Sequence, residues 1–285
     1  ASNGSPAPFF AGAGLGLAAA AWLYEPTNEA ARKSPAYWAA ADAGARVLRT
    51  CVADAEDAHG WALWGLKLGL GPVAAPPAAS LRTTLWGLDF SSPVGVAAGF
   101  DKRGEAAAPL GSLGFGFVEV GGITPRPQPG NDRPRVFRLE KDEAVVNFVG
   151  LPSEGVDVVA ARLRSAPRTC VVGANVTKNA ATPAGCAAAA DDHAAVAAAL
   201  GDSVDFVVVN ASCPNVKGGV VDVKEMAALL EATRSALPPG KPLLLKVSPD
   251  LNGKQRSAIA KLALYRRPSR TFPVSADYPR RGCNA

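Results

Sequence analysis

The chain has only two histidines, His59 and His193, among 285 residues. Its five cysteines (Cys51, Cys170, Cys186, Cys213, Cys283) are odd in number, contain no CxxC pair and show no ligand-like spacing to either histidine. Neither a structural zinc site nor a disulfide framework is indicated, and no metal is expected. Also missing are a GxGxxG opening a helix after the first strand and any GxxxxGK[ST], which disfavours a typical dinucleotide fold and a phosphate-binding P-loop. Charge of one sign is not concentrated. The 30 Lys+Arg and 25 Asp+Glu leave +5, dispersed except near the C-terminal end, which is weak evidence for a nucleic-acid or anionic-membrane partner, and no nucleic-acid partner is expected. There is no initiator Met; the chain begins at Ala1 and reads as a processed or partial sequence that a longer targeting peptide could have preceded. The uncharged run FFAGAGLGLAAAAWLY (residues 9–24) falls short of the roughly 20 apolar residues of a spanning helix. Rich in Gly and Ala, it reads either as a single-pass anchor or as a signal-type or core segment.

What is present is a globular composition, 48% hydrophobic and 19% charged, in a chain long enough to bury a core. Abundant alanine blurs the helical periodicity, whereas strands stand out. Residues 34–70 read as two amphipathic helices, the second with an acidic start at residues 54–57 and with Trp61, Leu63, Trp64, Leu66 and Leu68 along it. Its tryptophans suit either an interfacial, pocket-forming element or a helix pair packed on a neighbouring domain. A Pro/Ala linker, GPVAAPPAAS, follows. Five apolar runs then alternate with helix-like sequence: PVGVAAG (93–99), FVEVGGI (117–123), CVVGANV (170–176), FVVVNAS (206–212) and LLLKVSP (243–249). Continuous apolar strands separated by helices predict a parallel α/β sheet. Residues 121–152 are expected as an irregular loop. Periodicity alone leaves an open doubly wound sheet and part of a (β/α)8 barrel equally admissible.

Each run ends in small or polar residues: AAGFDK, GGITP, ANVTKN, NASCPN and KVSPD. In parallel α/β folds that end carries the ligand. Asn147, Asn175, Asn210 and Asn215 offer amide donors and acceptors for a planar heterocycle, and Lys102, Lys178 and Lys246 offer positive charge. One asparagine is an ordinary turn residue; four near strand ends point to a site. Lys246 follows three leucines within a strand, where it either snorkels to the rim or neutralises an anionic ligand. Cys213 sits between a strand and Pro214, on a stiff turn rather than in the core, either as a structural cysteine or as a base of lowered pKa.

PVGVAAGFDKRGE (93–105), GFGFVEVGGITPRPQPGNDRPRVFRL (114–139), GANVTKN (173–179), VVNASCPN (208–215) and LLLKVSPDL (243–251) together resemble the dihydroorotate dehydrogenases over residues 35–260. The apolar N-terminal run, helix pair and RPRVFRL are most similar to the membrane-associated, quinone-dependent class 2. The resemblance implies a (β/α)8 TIM-type barrel binding FMN, of which about five βα units are present. It also implies oxidation of (S)-dihydroorotate to orotate in pyrimidine (UMP) biosynthesis, ubiquinone as electron acceptor, and the mitochondrial inner membrane as location. By motif it makes Cys213 the base and assigns the substrate to Lys102, Asn147, Phe148, Val149, Gly150, Leu151, Asn210 and Asn215. Ala97, Ala98, Gly99, Gly122, Asn175, Asn210 and Lys246 fall to the flavin, Lys246 favouring its reduced anionic form, and His59 and Arg138 to the quinone side. The implied organisation is a tail at 1–33, a helical quinone-access unit at 34–75, a partial FMN-binding barrel at 76–261 and an unrelated basic tail at 262–285.

The sequence departs from the class 2 pattern in three places. Cysteine replaces the usual serine base, as in the soluble class 1 enzymes. NFVGLPSEG (147–155) lacks the expected arginine, aromatic and second asparagine, and its GLP resembles class 1. After residue 260 the family pattern gives way to a Pro/Arg-rich stretch, so strands six to eight and the phosphate loops after strands seven and eight are not matched. Two alternatives follow: a soluble class 1-like dihydroorotate or dihydropyrimidine dehydrogenase domain, and a truncated, inactive fragment.

Overall fold

In the computed structural model, residues 32–183, 186–210, 223–248 and 251–265 are described. Helix α1 (Pro35–Cys51) begins with Ser34, whose Oγ accepts the Tyr37 N–H at 3.2 Å, and with Pro35 where no amide donor is needed. Helix α2 (Ala55–Lys67) is capped by Asp54, whose carboxylate accepts the N–H groups of Glu56 (2.8 Å) and Asp57 (3.1 Å). The acidic start therefore works as the sequence predicts. The following Pro/Ala segment is laid against its neighbours on both sides: the Val73 N–H donates to Arg32 O (3.0 Å) and the Ala74 N–H to Ser112 O (2.9 Å).

Two short antiparallel strands, β1 (Thr83–Leu85) and β2 (Leu88–Phe90), lead into the main sheet. That sheet comprises β3 (Gly95–Val96), β4 (Phe117–Ile123), β7 (Val171–Val176), β8 (Phe206–Asn210) and β9 (Leu243–Lys246). Every neighbouring pair is parallel, and spatial order follows chain order, β3-β4-β7-β8-β9. A doubly wound sheet would reverse its order at a switch point, whereas a (β/α)8 barrel adds each strand beside the last. The topology therefore decides between the two architectures in favour of the barrel type. Among the described residues no pairing joins β3 to β9, so the barrel is not closed.

Helices α3 (Ala107–Ser112), α4 (Val156–Ser165), α5 (Cys186–Leu200), α6 (Val223–Ala236) and α7 (Gly253–Tyr265) accompany the strands. Leu110, Val118, Val120, Val159, Leu163, Val172, Val207, Val209 and Leu229 join in one buried core between sheet and helices. Alternate positions point to the opposite face. Low on that face Phe117 and Phe206 meet edge to face at 6.4 Å, in room left by Gly95 and Gly173: a Cβ on Gly173 would come within 2.1 Å of the Phe206 ring. Phe90 closes this end from below, 5.9 Å from Phe117. Higher up, the same alternation places Glu119, Asn175, Asn210 and Lys246.

Three local expectations are corrected. The first run is a strand only at Gly95–Val96, because the following glycine and alanines turn into a loop. The stretch 121–152 is not wholly irregular: β5 (Val136–Leu139) and β6 (Ala144–Asn147) form an antiparallel hairpin whose apolar alternation is masked by surrounding Arg, Pro and Asp residues. The β1–β2 hairpin, turning through Trp86 and Gly87 at positive φ, was also not anticipated.

Candidate active site

The carboxyl ends of the sheet strands carry a chain of hydrogen bonds between side chains. Asn175 on β7 is 0% exposed; its amide donates to Glu119 Oε1 on β4 at 2.7 Å, and its Oδ1 accepts from Asn210 Nδ2 on β8 at 3.0 Å. Lys246 on β9 lies in register beside Asn210. Burying a lone amide is costly, so a connected Glu–Asn–Asn series fixes the orientation of each group. Glu119 was missed from sequence, although a carboxylate inside an apolar strand is the same signal that singled out Lys246.

The loop after β3 is stapled to the end of β4. Its Gly99 N–H donates to Gly121 O (2.9 Å), and the Gly121 N–H returns a bond to Asp101 O (3.0 Å). Asp101, also missed, is fully buried; its carboxylate accepts the N–H groups of Glu105 (2.9 Å) and Ala106 (2.8 Å). Burial raises its pKa against the pull of those amides. The 99–101 backbone is thus fixed to Gly121 on both sides. Lys102 donates to Gly99 O at 2.7 Å, and burial lowers its pKa while Glu56 opposes the shift.

The segment 147–151 lies outside the parallel sheet. Asn147 ends β6 opposite Val136, and Phe148 stacks on Phe137 with centroids 6.0 Å apart. Val149 is buried, while Gly150 and Leu151 turn at positive φ; the Leu151 side chain would be 3.2 Å from a Cβ on Gly122. Asn179 Oδ1 accepts the Arg126 N–H at 3.0 Å and its amide donates to Gln128 Oε1 at 3.0 Å, while Gln128 Nε2 donates to Leu151 O at 2.7 Å. Lys178 donates to Thr182 O at 3.3 Å. Cys213 and Asn215 lie outside the described residues, as does the run 9–24.

His59 and Arg138 meet the junction between the helix pair and the barrel. His59 Nε2–H donates to Phe100 O at 2.7 Å and its ring stands edge-on to Phe100 at 4.8 Å; burial lowers its pKa. Arg138 on β5 donates to Arg49 O and Val52 O, both at 3.2 Å, at the C-terminal end of α1, where carbonyls lack helical partners. Among the described residues no group of His, Cys, Asp and Glu could hold a metal ion.

The donor set fits the ring system of a flavin. A planar heterocycle with alternating carbonyl and N–H edges requires amides that donate and accept, and an ammonium beside it stabilises added negative charge. Asn175 and Asn210 bring such amides to neighbouring strand ends, with Lys246 in register beside Asn210. The phosphate sites of such barrels follow strands seven and eight; among the described residues the parallel sheet has five strands.

Residues 80–268 match the family described as dihydroorotate dehydrogenase. The chain belongs to the dihydroorotate dehydrogenase family. It is 45% identical over 223 residues to the dihydroorotate dehydrogenase (quinone) of Rhodospirillum rubrum, covering 75% of this chain and 59% of that one. Identity to the enzyme of the same description from Azorhizobium caulinodans is 45% over 222 residues, covering 73% and 61%. The chain therefore spans about three fifths of the length of these relatives. Among solved structures, the Eimeria tenella dihydroorotate dehydrogenase in complex with ferulenol superposes with a TM-score of 0.70 at 34% identity, covering 77% of this chain and 67% of that one. The ligand-free enzyme from the same organism gives 0.67 at 36% identity, covering 73% and 65%. The Rhodospirillum and Azorhizobium relatives are described as dihydroorotate dehydrogenase (quinone), in agreement with the class 2 features of the N-terminal half.

Proposed function

We propose that this chain provides the substrate and flavin-ring portion of a quinone-type dihydroorotate dehydrogenase, oxidising (S)-dihydroorotate to orotate in pyrimidine biosynthesis. The observation that carries the reading is the Glu119–Asn175–Asn210 series, centred on the buried Asn175, with Lys246 beside it, at the strand ends where such a barrel binds its ligands. FMN, when bound, supplies the acceptor for the hydride that leaves C6 of the substrate. Lys102 offers a cation to the substrate carboxylate, and Asn147, Asn210 and Asn215 orient the ring through its carbonyl and N–H groups. Cys213, as thiolate, takes the proton from C5, so that proton and hydride leave adjacent carbons and a double bond remains between them. Phe148 to Leu151 cover the substrate and exclude water. Lys246 stabilises negative charge beside Asn210.

The helix pair is the access route for quinone, with His59 and Arg138 on that side, and Trp61 and Trp64 face a quinone-bearing membrane, in a eukaryotic cell the mitochondrial inner membrane. No helix among the described residues is long and apolar enough to cross a bilayer, so α1 and α2 rest on the surface in this reading.

The test uses the purified chain supplied with FMN. Orotate titrated calorimetrically should bind, and Lys102→Ala should weaken it by about ten-fold or more, the usual effect of removing a charged hydrogen-bond donor. No orotate binding at millimolar concentration would defeat the proposal. Cys213 and the Gly150-Leu151-Pro152 turn favour a second reading, a class 1-like acceptor. Detergent-dependent reduction of a quinone separates the two, because equal turnover with fumarate or a nicotinamide acceptor without detergent supports class 1.

A further inference from the structure

The substrate segment 147–151 runs past the end of its own strand. β6 ends at Asn147, and the described backbone beyond it is fixed from the preceding loop. The Phe148 N–H donates to Arg135 O (3.0 Å), Asn131 Nδ2 donates to Phe148 O (2.6 Å), and the Asn131 N–H donates to Val149 O (3.0 Å). The loop is in turn gathered by one side chain. Arg135 Nη1 donates to Pro129 O (2.8 Å) and to Asn131 O (2.6 Å), while Nε and Nη2 donate to the two carboxylate oxygens of Glu56 on α2 at 2.8 and 2.7 Å. Four of its five N–H groups are engaged, and its side chain is 8% exposed. Gly130 closes the same knot from the backbone: a Cβ there would lie 2.4 Å from Val149 O and 2.8 Å from Arg135 Nη1. The fork is therefore built around an approach that only glycine permits.

We propose that Arg135 is the positioning residue of the substrate segment, tying residues 147–151 to helix α2 through Glu56 on one side and the 129–131 carbonyls on the other. This inference rests on the reading of 147–151 as the substrate segment. A lysine cannot replace the fork, since a single ammonium cannot face a bidentate carboxylate and two carbonyls at once. The tether also runs from the helix pair to the substrate loop, so displacement of α2 is felt at 147–151 through Glu56 and Arg135. Arg133 adds ion pairs to Asp54, Glu56 and Asp57 on the exposed side, but holds none of the 129–131 carbonyls.

Hydrogen–deuterium exchange of the purified chain, with and without orotate, tests this. R135K should accelerate exchange of the 147–151 amides by about ten-fold or more, as expected for loss of a charged hydrogen-bond network, and leave β7 and β8 unchanged. E56Q keeps the carbonyl contacts and the side-chain volume, so it should fold and give a smaller acceleration, about three-fold, at the same amides. R46Q, which removes only an exposed pair on α1, serves as the control. Orotate affinity should fall in the order of the exchange effects. Exchange at 147–151 within two-fold of the parent chain in both variants would overturn the proposal, as would a uniform acceleration across all strands. Unchanged orotate affinity in R135K despite locally faster exchange would also overturn it. If the parent chain itself binds no orotate, the reading of the substrate site fails, and the exchange arm still decides the tether.

Discussion

At the scale of single residues, Asn175 organises the site. It is buried and placed between a carboxylate and a second amide, donating to one and accepting from the other. Truncating it leaves Glu119 and Asn210 each short of a partner inside the fold. Asn175→Ala is therefore expected to cost about 2 kcal/mol of folding stability, measured by urea denaturation, together with loss of flavin affinity. Asn175→Asp should be worse, because it places a second carboxylate against Glu119. A cost near zero in both would mean that the series does not constrain the strand ends. Glu119 and Asp101 had signals in the sequence, a charge within an apolar strand and a carboxylate just before a helix. Arg135 had none, since its partner Glu56 lies 79 residues away.

At the scale of elements, α2 does two jobs on two faces. Its N-terminal turn holds Arg133 and Arg135 through Asp54, Glu56 and Asp57. Burial is opposed at Glu56 by the Arg135 fork, which is the larger effect and lowers its pKa. Leu63 and Leu66 pack on the core, while Trp61 and Trp64 stand 54% and 53% exposed and touch each other edge to face at 5.6 Å. Large exposed aromatics contribute little to folding and much to adhesion. The double variant Trp61→Gln/Trp64→Gln should shift stability by less than about 0.5 kcal/mol and sharply reduce flotation with phospholipid vesicles. Undiminished flotation would place membrane contact elsewhere. The 136–147 hairpin shows why this part was illegible: its strands are four residues each, and their pairing depends on a turn rather than on a long alternating pattern.

At the scale of the whole molecule, stability should depend on pH through the buried His193 and the half-buried His59. His193 is 2% exposed; its Nδ1–H donates to Ala189 O at 2.6 Å, and Nε2 has no hydrogen-bond partner among the described residues. Burial lowers its pKa, against the opposing pull of Asp192, and lowers that of His59. The folded state then binds protons less readily than the unfolded chain. The stability so gained is complete above the unfolded histidine pKa of about 6.5 and is lost as pH falls toward the folded value. Unfolding free energy should decline between pH 7 and 5.5 by no more than about 1.4 kcal/mol per unit for each such proton, and His193→Gln should flatten the profile. A profile identical in the variant would assign the acid sensitivity to other groups.

The five strands of the parallel sheet and the helix pair were legible in the sequence, unlike the two hairpins, because their causes are short-range: apolar runs and the acidic start at 54–57. The clustering of asparagines and lysines at strand ends could be inferred for the same reason, since each follows its own strand. Strand order could not. Whether β4 lies beside β7 or across a switch point depends on which faces of separate βα units pack together, and that alone distinguishes a barrel from a doubly wound sheet. Nor could the pairing of Asn175 with Glu119, 56 residues apart, or of Arg135 with Glu56, be read locally. The sequence by itself determined the elements and the chemistry of their ends; tertiary structure alone decided the partners, because the cost of burying a charge or an amide is relieved only by groups that distant segments bring to it.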